Sequence, residues 1–234
     1  MSLKPHYQIP IEDCGEPLVP LPADEFAFEQ PHAYVSLGAP YGDRSPFFVR
    51  QGVLNRLRTA QAQLATHHAD WRILIFDAYR PIAVQQFMVD YTLAELLDKR
   101  QIEGDRLTPG QQQQLLDEVY QFWAPPSADP ATPPPHSTGA AVDITLVDSH
   151  GRPIDMGSPI DEMSPRSYPD HYQAAIATHP QAAQFHAHRL LLRQVMTKAG
   201  FCQHPQEWWH FSWGDQRWVW QETVQPAIAR YGGL

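Results

Sequence analysis

Cysteine is scarce in this 234-residue sequence, which contains only Cys14 and Cys202. The two form no C-x-x-C pair and no ladder of spacings, which excludes the disulfide framework of small secreted domains. A single bridge between them is the alternative to two unpaired residues. We expect two buried free thiols.

Positive charge and long apolar runs are scarce as well. The chain has 17 Lys and Arg against 26 Asp and Glu, a formal net charge of −9, whereas a nucleic-acid phosphate track needs clustered Lys and Arg. No run approaches the roughly 18 apolar residues of a membrane span. We therefore expect neither a nucleic-acid partner nor a membrane-embedded protein. The first residues lack the apolar region of a secretory signal, so we expect a cytoplasmic location; a periplasmic location and the oligomeric state stay open.

Proline and histidine are abundant, with 23 and 12 copies. Six prolines lie between positions 125 and 135, and because proline ends helices and blocks ladder hydrogen bonds, this stretch is predicted to be extended surface chain. A domain linker is the alternative. We favour a loop at about 124–135 within one domain that spans 1–234, since this length suits a single core. The many histidines raise the question of a metal site.

The apolar pattern indicates short strands interspersed with helices, without strict β-α-β alternation, which is typical of an α+β fold. Helices are predicted over 47–69, 81–99, 109–123, a short one near 170–177, 180–199 and from 215, and strands over 73–76, 140–148 and 207–213. Residues 1–45 have no lasting period and are expected to be irregular. The strand at 140–148 should complete a sheet begun at Ile73. We expect a small, mostly antiparallel sheet flanked by helices.

The first candidate motif runs from His136 to Asp143. On the predicted strand, Val142, Ile144 and Leu146 point one way and Asp143 points the other. An aspartate buried there is costly unless it is paired or bound to a metal. The alternative is that Asp143 faces solvent and His136 is an ordinary loop residue.

The second candidate motif is the sequence Glu-Trp-Trp-His, in which Glu207 stands three residues before His210. A hydrolytic zinc site needs three protein ligands, an open position for water and a carboxylate that can accept a proton. His136, Asp143 and His210 would supply the ligands, and Glu207 the base. Taken alone, His210 is typical of a hydrogen-bonded core histidine and the tryptophans of core packing.

The third candidate motif, Asp-Ala-Tyr-Arg-Pro at 77–81, follows the first predicted strand. A permanently charged guanidinium at the mouth of a cleft can polarise a carbonyl and stabilise a developing oxyanion. The alternative is a surface ion pair between Arg80 and Asp77.

In this order, the three motifs resemble those of the vancomycin-resistance-type D-alanyl-D-alanine dipeptidases, within the zinc D,D-peptidases. The shared patterns are His-x-x-Gly-x-Ala-x-Asp from His136 to Asp143 and Glu-x-x-His from Glu207 to His210. The Asp-x-Tyr-Arg-Pro block and the double tryptophan point to the dipeptidase branch. The resemblance extends through roughly residues 30–215.

The resemblance implies a zinc-dependent hydrolase of a small D-amino-acid dipeptide, D-Ala-D-Ala or a similar one, with the metal at the sheet. One zinc ion per chain would be held by His136, Asp143 and His210. Glu207 would act as general base on the zinc-bound water, and Arg80 would stabilise the oxyanion. The block 155–161 resembles the family's Met-Gly-Ser block.

The last residue of that block, Asp161, would bind the ammonium group of the substrate. Tyr34 would lie near the same ammonium. Pro134 stands where the family usually has serine, two residues before His136, so a contact made there by serine is lost or replaced and the exact dipeptide preference stays open.

Two other functions stay open. A zinc D,D- or L,D-carboxypeptidase or endopeptidase on peptidoglycan stem peptides would use the same metal site in an open cleft. A non-catalytic zinc-binding domain is the other, although Glu207 argues against it because a structural site needs four ligands and no base. The remaining histidines are expected to be surface or hydrogen-bonding residues; they are His6, His32, His67, His68, His150, His171, His179, His186, His188 and His204.

Overall fold

The computed structural model describes residues 4–234. The strands are β1 (Leu18–Pro20), β2 (Ala27–Phe28), β3 (Phe48–Arg50), β4 (Arg72–Asp77), β5 (Ala141–Val147), β6 (Cys202–Gln203) and β7 (His210–Ser212). The α-helices are α1 (Ala33–Ser36), α2 (Gln51–His67), α3 (Ile82–Lys99), α4 (Pro109–Val119), α5 (Ala182–Lys198) and α6 (Gln216–Gln221).

Five strands form one sheet in the order β2-β4-β5-β7-β6, with β2 parallel to β4 and the other neighbours antiparallel. A second sheet pairs β1 with β3. The predicted α+β fold with a small, mostly antiparallel sheet is confirmed. The pairing of the strand begun at Ile73 with the later strand is confirmed too, since β4 pairs with β5.

The two faces of β5 have different surroundings. Val142, Ile144 and Leu146 belong to the main core cluster, together with apolar residues of α2 and α5. Asp143 points to the other face and is only 2% exposed. The alternative in which Asp143 faces solvent is therefore wrong, because the side chains of Arg80, His136 and His210 surround its carboxylate.

The register of the sheet brings polar residues of three strands side by side. Asp143 of β5 lies opposite Asp77 of β4 and opposite His210 of β7. The β4 register shifts between Ile75 and Asp77, an irregularity of the kind that redirects side chains next to functional sites. A cluster of ionisable groups thus forms at one end of the three central strands.

Several predicted boundaries are wrong. Helix α2 begins at Gln51 rather than 47, because residues 48–50 pair with β1. Residues 170–177 form turns instead of a short helix. Strand β7 starts only at His210, since the backbone turns at 205–209. The stretch 1–45 is less irregular than expected, because β1, β2 and α1 lie within it.

Other boundaries follow the local sequence closely. Thr108 caps α4 in a capping box with Gln111, and Pro109 occupies the first helical turn, where its missing N–H has no consequence. Asp215 caps α6 by accepting a hydrogen bond from the backbone N–H of Trp218. Helix α3 ends at Lys99, as predicted.

The proline-rich stretch is an irregular loop that ends in a short 3-10 helix, Pro135–Thr138. Its last prolines are buried, and Gln216 of α6 donates a hydrogen bond to the carbonyl oxygen of Ala131 at 2.9 Å. These contacts fit a loop held against the body of the protein. The single domain over 1–234 stays a prediction.

The cysteine expectation is half correct. Cys14 and Cys202 are both free thiols, but only Cys202 is buried. Cys14 is exposed because its segment runs along the surface, where its backbone N–H donates to the carbonyl of Arg230. Within residues 4–234, no helix is both long and apolar enough to cross a membrane.

Candidate metal centre and substrate pocket

Three ligand atoms from the first two motifs converge at the end of the central strands. The Nε2 atom of His136 lies 3.2 Å from the Nδ1 atom of His210 and 3.2 Å from Oδ2 of Asp143. Nδ1 of His210 lies 3.0 Å from Oδ1 of Asp143. All three side chains are buried.

The backbone explains why these side chains meet. His136 lies in the 3-10 helix before β5, and Gly139 then adopts a φ of 71°, which glycine tolerates without strain. A Cβ atom at Gly139 would lie 2.7 Å from the Cδ1 atom of Leu18. The sharp entry into β5 therefore depends on glycine, and it sets the distance between His136 and Asp143.

The donor set and its spacing fit a zinc ion. Tetrahedral ligands at about 2.0–2.2 Å from one ion lie about 3.3–3.6 Å apart, slightly more than the 3.0–3.2 Å found here. Two imidazoles and one carboxylate are a common zinc ligand set. His210 directs Nδ1 into the cluster, and its buried Nε2 atom has no hydrogen-bond partner among residues 4–234.

Electrostatics favour an ionised carboxylate among the ligands. Burial opposes ionisation of Asp143, but the adjacent His136 and His210 hold its pKa well below the usual range. Burial lowers the pKa of His210 to about 4. A neutral imidazole beside an ionised carboxylate is the protonation state that a metal ligand needs.

Glu207 lies next to the ligand cluster, in the turn before β7 rather than in a strand. Its Oε2 atom is 3.8 Å from Nδ1 of His210, and its Oε1 atom is 3.7 Å from Nδ1 of His204. Burial raises the pKa of Glu207 to about 8, and the negative charge of Asp143 acts in the same direction. The turn removes the geometric problem that a continuous strand would pose, because strand residues three apart face opposite ways.

Arg80 is buried under the cluster and is not a surface residue. Its guanidinium donates to Asp77 at 2.8 Å, to Asp143 at 3.3 Å and to Gln85 at 2.9 Å. The Nη2 atom, which donates to Asp77 and Asp143, also lies 3.3 Å from the hydroxyl of Tyr34. The surface alternative is therefore wrong, although the predicted pairing with Asp77 exists.

Asp77 is fully buried and fixes the orientation of Arg80. It also accepts hydrogen bonds from Nε2 of His32 at 3.1 Å and from the hydroxyl of Tyr41 at 2.9 Å. Burial opposes its ionisation, but Arg80, followed by His32, holds the pKa of Asp77 below its usual value. A carboxylate with this many donors is a rigid support for the guanidinium.

Asp161 and Tyr34 lie together at the other side of Arg80. The Tyr34 hydroxyl donates to Oδ2 of Asp161 at 2.7 Å, and Asp161 lines the same pocket as Glu207 and Arg80. Asp161 adopts a φ of 63°, a conformation uncommon outside glycine that Asp tolerates better than most residues. Burial, and then the charge of Asp143, raises the pKa of Asp161 to about 7.

One family model and one named protein match this chain over most of its length, and a second named protein matches about a third of it. The family model described as D-ala-D-ala dipeptidase, among the M15 peptidases, matches residues 28–228. The chain belongs to the D-ala-D-ala dipeptidase family. A protein of Synechocystis sp. named D-alanyl-D-alanine dipeptidase is 52% identical over 238 residues, which cover 98% of this chain and 96% of that protein. An Escherichia coli protein of the same name is 47% identical over 76 residues, 32% of this chain and 36% of that protein.

Membership of the D-ala-D-ala dipeptidase family confirms the resemblance drawn from the motifs and makes the chain a metallopeptidase. The family is generally zinc-dependent, in agreement with the donor set. The roles of His136, Asp143 and His210 as ligands and of Glu207 as base stay predictions.

In this dipeptidase-family chain, the pocket is also lined by four basic residues that no motif marked: Lys4, His6, His204 and Arg217. They come from the N-terminal segment, the turn after β6 and helix α6. No local pattern in the sequence identifies them, because only the packing of both chain ends against the sheet brings them together. Three of the remaining histidines, His6, His32 and His204, are buried.

Proposed function

We propose that the chain hydrolyses D-alanyl-D-alanine, or a closely similar D,D-dipeptide, to free amino acids with one zinc ion per chain. The observation that carries this proposal is the convergence of His136, Asp143 and His210 beside a buried Glu207. The names of the two relatives and the family description support the same substrate class.

His136, Asp143 and His210 would hold the zinc ion, which when bound supplies a Lewis acid that polarises a carbonyl and acidifies water. Glu207 accepts the proton of the attacking water and returns it to the leaving amine. Its pKa of about 8, raised by burial, suits this exchange near neutral pH.

Arg80 stabilises the oxyanion that develops on the attacked carbonyl. Its guanidinium is fixed on one side by Asp77 and Gln85, so it is preorganised, and little reorganisation is needed during the reaction. The Nη2 atom is the one nearest Asp143, at 3.3 Å, which directs the guanidinium charge toward the ligand cluster.

Asp161 and Tyr34 bind the free ammonium group of the dipeptide. A fixed carboxylate in the same pocket as the ligand residues and Glu207 selects substrates whose free amino terminus lies close to the scissile bond. Peptides with a blocked or extended amino terminus would leave the carboxylate of Asp161 without a cationic partner, which is costly in a buried pocket.

Two observations favour a free dipeptide over a peptidoglycan stem. The N-terminal segment contributes Lys4, His6 and Tyr7 to the pocket wall, which leaves less room than an open cleft. Asp161 provides the anion for a free amino terminus. A purely structural zinc site is disfavoured because the described residues offer three ligands, with a carboxylate beside them in the position of a base.

The deciding experiment measures release of D-alanine from D-Ala-D-Ala by the purified protein, after a chelator and again after zinc is restored. We expect release that is lost with the chelator and regained with zinc. Glu207→Gln should bind zinc normally yet lose at least about 100-fold in kcat. A folded, zinc-loaded protein that releases no D-alanine would overturn the proposal.

A further inference from the structure

Arg217 differs from the other buried arginines of this protein. Four arginines are at most 9% exposed: Arg50, Arg80, Arg189 and Arg217. Arg50, Arg80 and Arg189 each donate at least three hydrogen bonds to carbonyl, hydroxyl, amide or carboxylate oxygens. The Arg217 side chain donates none to any residue within 4–234, and its Nε atom is buried without a partner.

Burial of a guanidinium without hydrogen-bond partners is energetically unfavourable. Withdrawal of a cation from water costs free energy that an anion or several hydrogen bonds must offset. No carboxylate of the described chain lies within ion-pair distance of Arg217; the neighbouring Asp215 directs Oδ1 to Ser212 and to the backbone of Trp218 instead. Such an unpaired cation in a pocket wall is typical of a site that an anionic ligand completes.

Arg217 lines the same pocket as Glu207 and Asp161. Lys4 lines it as well, with its Nζ atom bonded only to the carbonyl of Tyr120 at 3.5 Å among the described residues. After burial, the positive charges of Arg217 and Lys4 are the causes that lower the pKa of His6 to about 3. This part of the pocket is therefore strongly cationic.

The pocket wall carries an acidic and a basic group that come from different parts of the fold. Asp161 accepts a hydrogen bond from Tyr34, which lies beside Arg80, whereas Arg217 lies on α6, against which the N-terminal segment that carries Lys4 packs. Glu207 lines the same pocket. A dipeptide carries an ammonium group and a carboxylate about 7 Å apart when extended. A pocket wall that offers an anion in Asp161 and cations in Arg217 and Lys4 provides a partner for each charge of this zwitterion.

We propose that Arg217, assisted by Lys4, binds the α-carboxylate of the dipeptide at the end of the pocket opposite Asp161. This inference rests on the proposed function and deepens it, because it assigns the group that recognises the carboxyl end of the substrate. With both ends of the substrate bound, the pocket admits two residues and excludes peptides extended in either direction.

The test compares D-Ala-D-Ala with D-alanyl-D-alaninamide, which lacks the carboxylate, in the zinc-loaded wild-type protein and in Arg217→Gln. We expect the wild type to prefer the free acid. Arg217→Gln should lower kcat/KM for the acid by about 10- to 100-fold, mainly through KM, and change the amide by less than about threefold. Arg217→Lys should retain part of the preference, because it keeps the charge.

The matched control is Arg58→Gln, which removes the same charge from an exposed ion pair with Glu25 on the surface and should alter neither substrate. A thermal melt verifies that each variant is folded. If Arg217→Gln does not fold, Lys4→Gln provides the same comparison with a smaller expected loss. An equal loss of kcat/KM for both substrates would indicate a structural role and overturn the inference. Unchanged kcat/KM for both substrates would overturn it as well.

The two proposals fail in distinguishable ways. Turnover of D-Ala-D-Ala by the wild type with an unchanged acid-to-amide ratio in Arg217→Gln leaves the proposed function intact and overturns only the carboxylate site. Absence of wild-type turnover overturns the proposed function. Titration calorimetry of the zinc-loaded proteins with the acid and the amide then decides the role of Arg217 from binding alone.

Discussion

The Nδ1 atom of His136 lies 2.7 Å from the carbonyl oxygen of Ala78. A carbonyl only accepts hydrogen bonds, so Nδ1 carries the proton and Nε2 presents its lone pair to Asp143 and His210. Ala78 belongs to the turn that carries Arg80, so one backbone group fixes the tautomer of a predicted metal ligand and links it to the guanidinium. The first and third motifs thus form a single unit.

Asp143→Asn tests the metal site without reference to activity. The amide keeps the shape of the side chain but removes the charge, so we expect zinc affinity to fall by at least about 100-fold. Competition with a chromophoric chelator measures this loss. Asp148→Asn is the matched control, because Asp148 follows the other end of β5 and pairs with the exposed Arg152. Unchanged affinity in Asp143→Asn would contradict the ligand assignment.

Arg80→Lys tests the oxyanion role. Lysine keeps the charge but cannot reach Asp77, Gln85 and Asp143 with one planar group. We expect kcat to fall by about 10²- to 10³-fold with a smaller change in KM, because the lost interaction is strongest in the transition state. Steady-state kinetics on D-Ala-D-Ala measure both constants, and Arg193→Lys on α5 serves as control. A variant that changes KM alone would assign Arg80 to ground-state binding instead.

The sequence predicts the chemistry of the centre better than its surroundings. Period-two alternation directs Asp143 away from Val142 and Ile144, and β4–β5 pairing follows from two apolar runs. The turn that positions Glu207 could not be predicted, because Trp209, Phe211 and Trp213 alternate with polar residues in the manner of a strand. Both adjacent tryptophans, Trp208 and Trp209, pack into the core.

The basic residues around the pocket could not be predicted from the sequence for a different reason. Lys4 and Arg217 lie near opposite ends of the chain, and each is unremarkable in its local pattern. They meet only because the N-terminal segment packs on α6, where Gln216 donates to the carbonyl of Ile9 at 2.6 Å. Long-range packing of this kind has no periodic signal in a single sequence.

Asp161→Asn tests ammonium recognition. The wild type should hydrolyse D-Ala-D-Ala much faster than its N-acetyl derivative, because the derivative cannot pair with a carboxylate. In Asp161→Asn we expect kcat/KM for the free dipeptide to fall by about 10- to 100-fold, while the slow rate on the acetylated one changes little. Asp105→Asn, a change to an exposed aspartate, is the control. Equal rates of the wild type on both substrates would remove this role from Asp161.

Asp13→Asn tests how the chain ends are held beside the site. Asp13 binds the buried Arg50 at 2.6 Å, and Arg50 also donates to the carbonyls of Thr138, in the His136 turn, and of Gly232. Although partial burial acts in the opposite direction, backbone N–H groups of Gly232 and Gly15 and then Arg50 hold the pKa of Asp13 below its usual value. The ion pair therefore stabilises the fold above about pH 4, the ordinary pKa of aspartate, and this contribution is lost as the pH falls through the lower, folded-state pKa.

The side chain of Asp13 is 35% exposed, so solvent screening limits the effect to about 1 kcal/mol, or about 2–4 °C in Tm for a chain of this size. Thermal melts of the wild type and Asp13→Asn at pH 7 and again near pH 2 measure it. The difference in Tm should be present at pH 7 and shrink in acid, because the wild-type carboxyl is then protonated as well. Asp24→Asn, which changes an exposed aspartate of the same N-terminal region, should have no effect at either pH. A difference that grows in acid would mean that Asp13 is not stabilised as an anion, and that the chain ends are held by the carbonyl contacts of Arg50 alone.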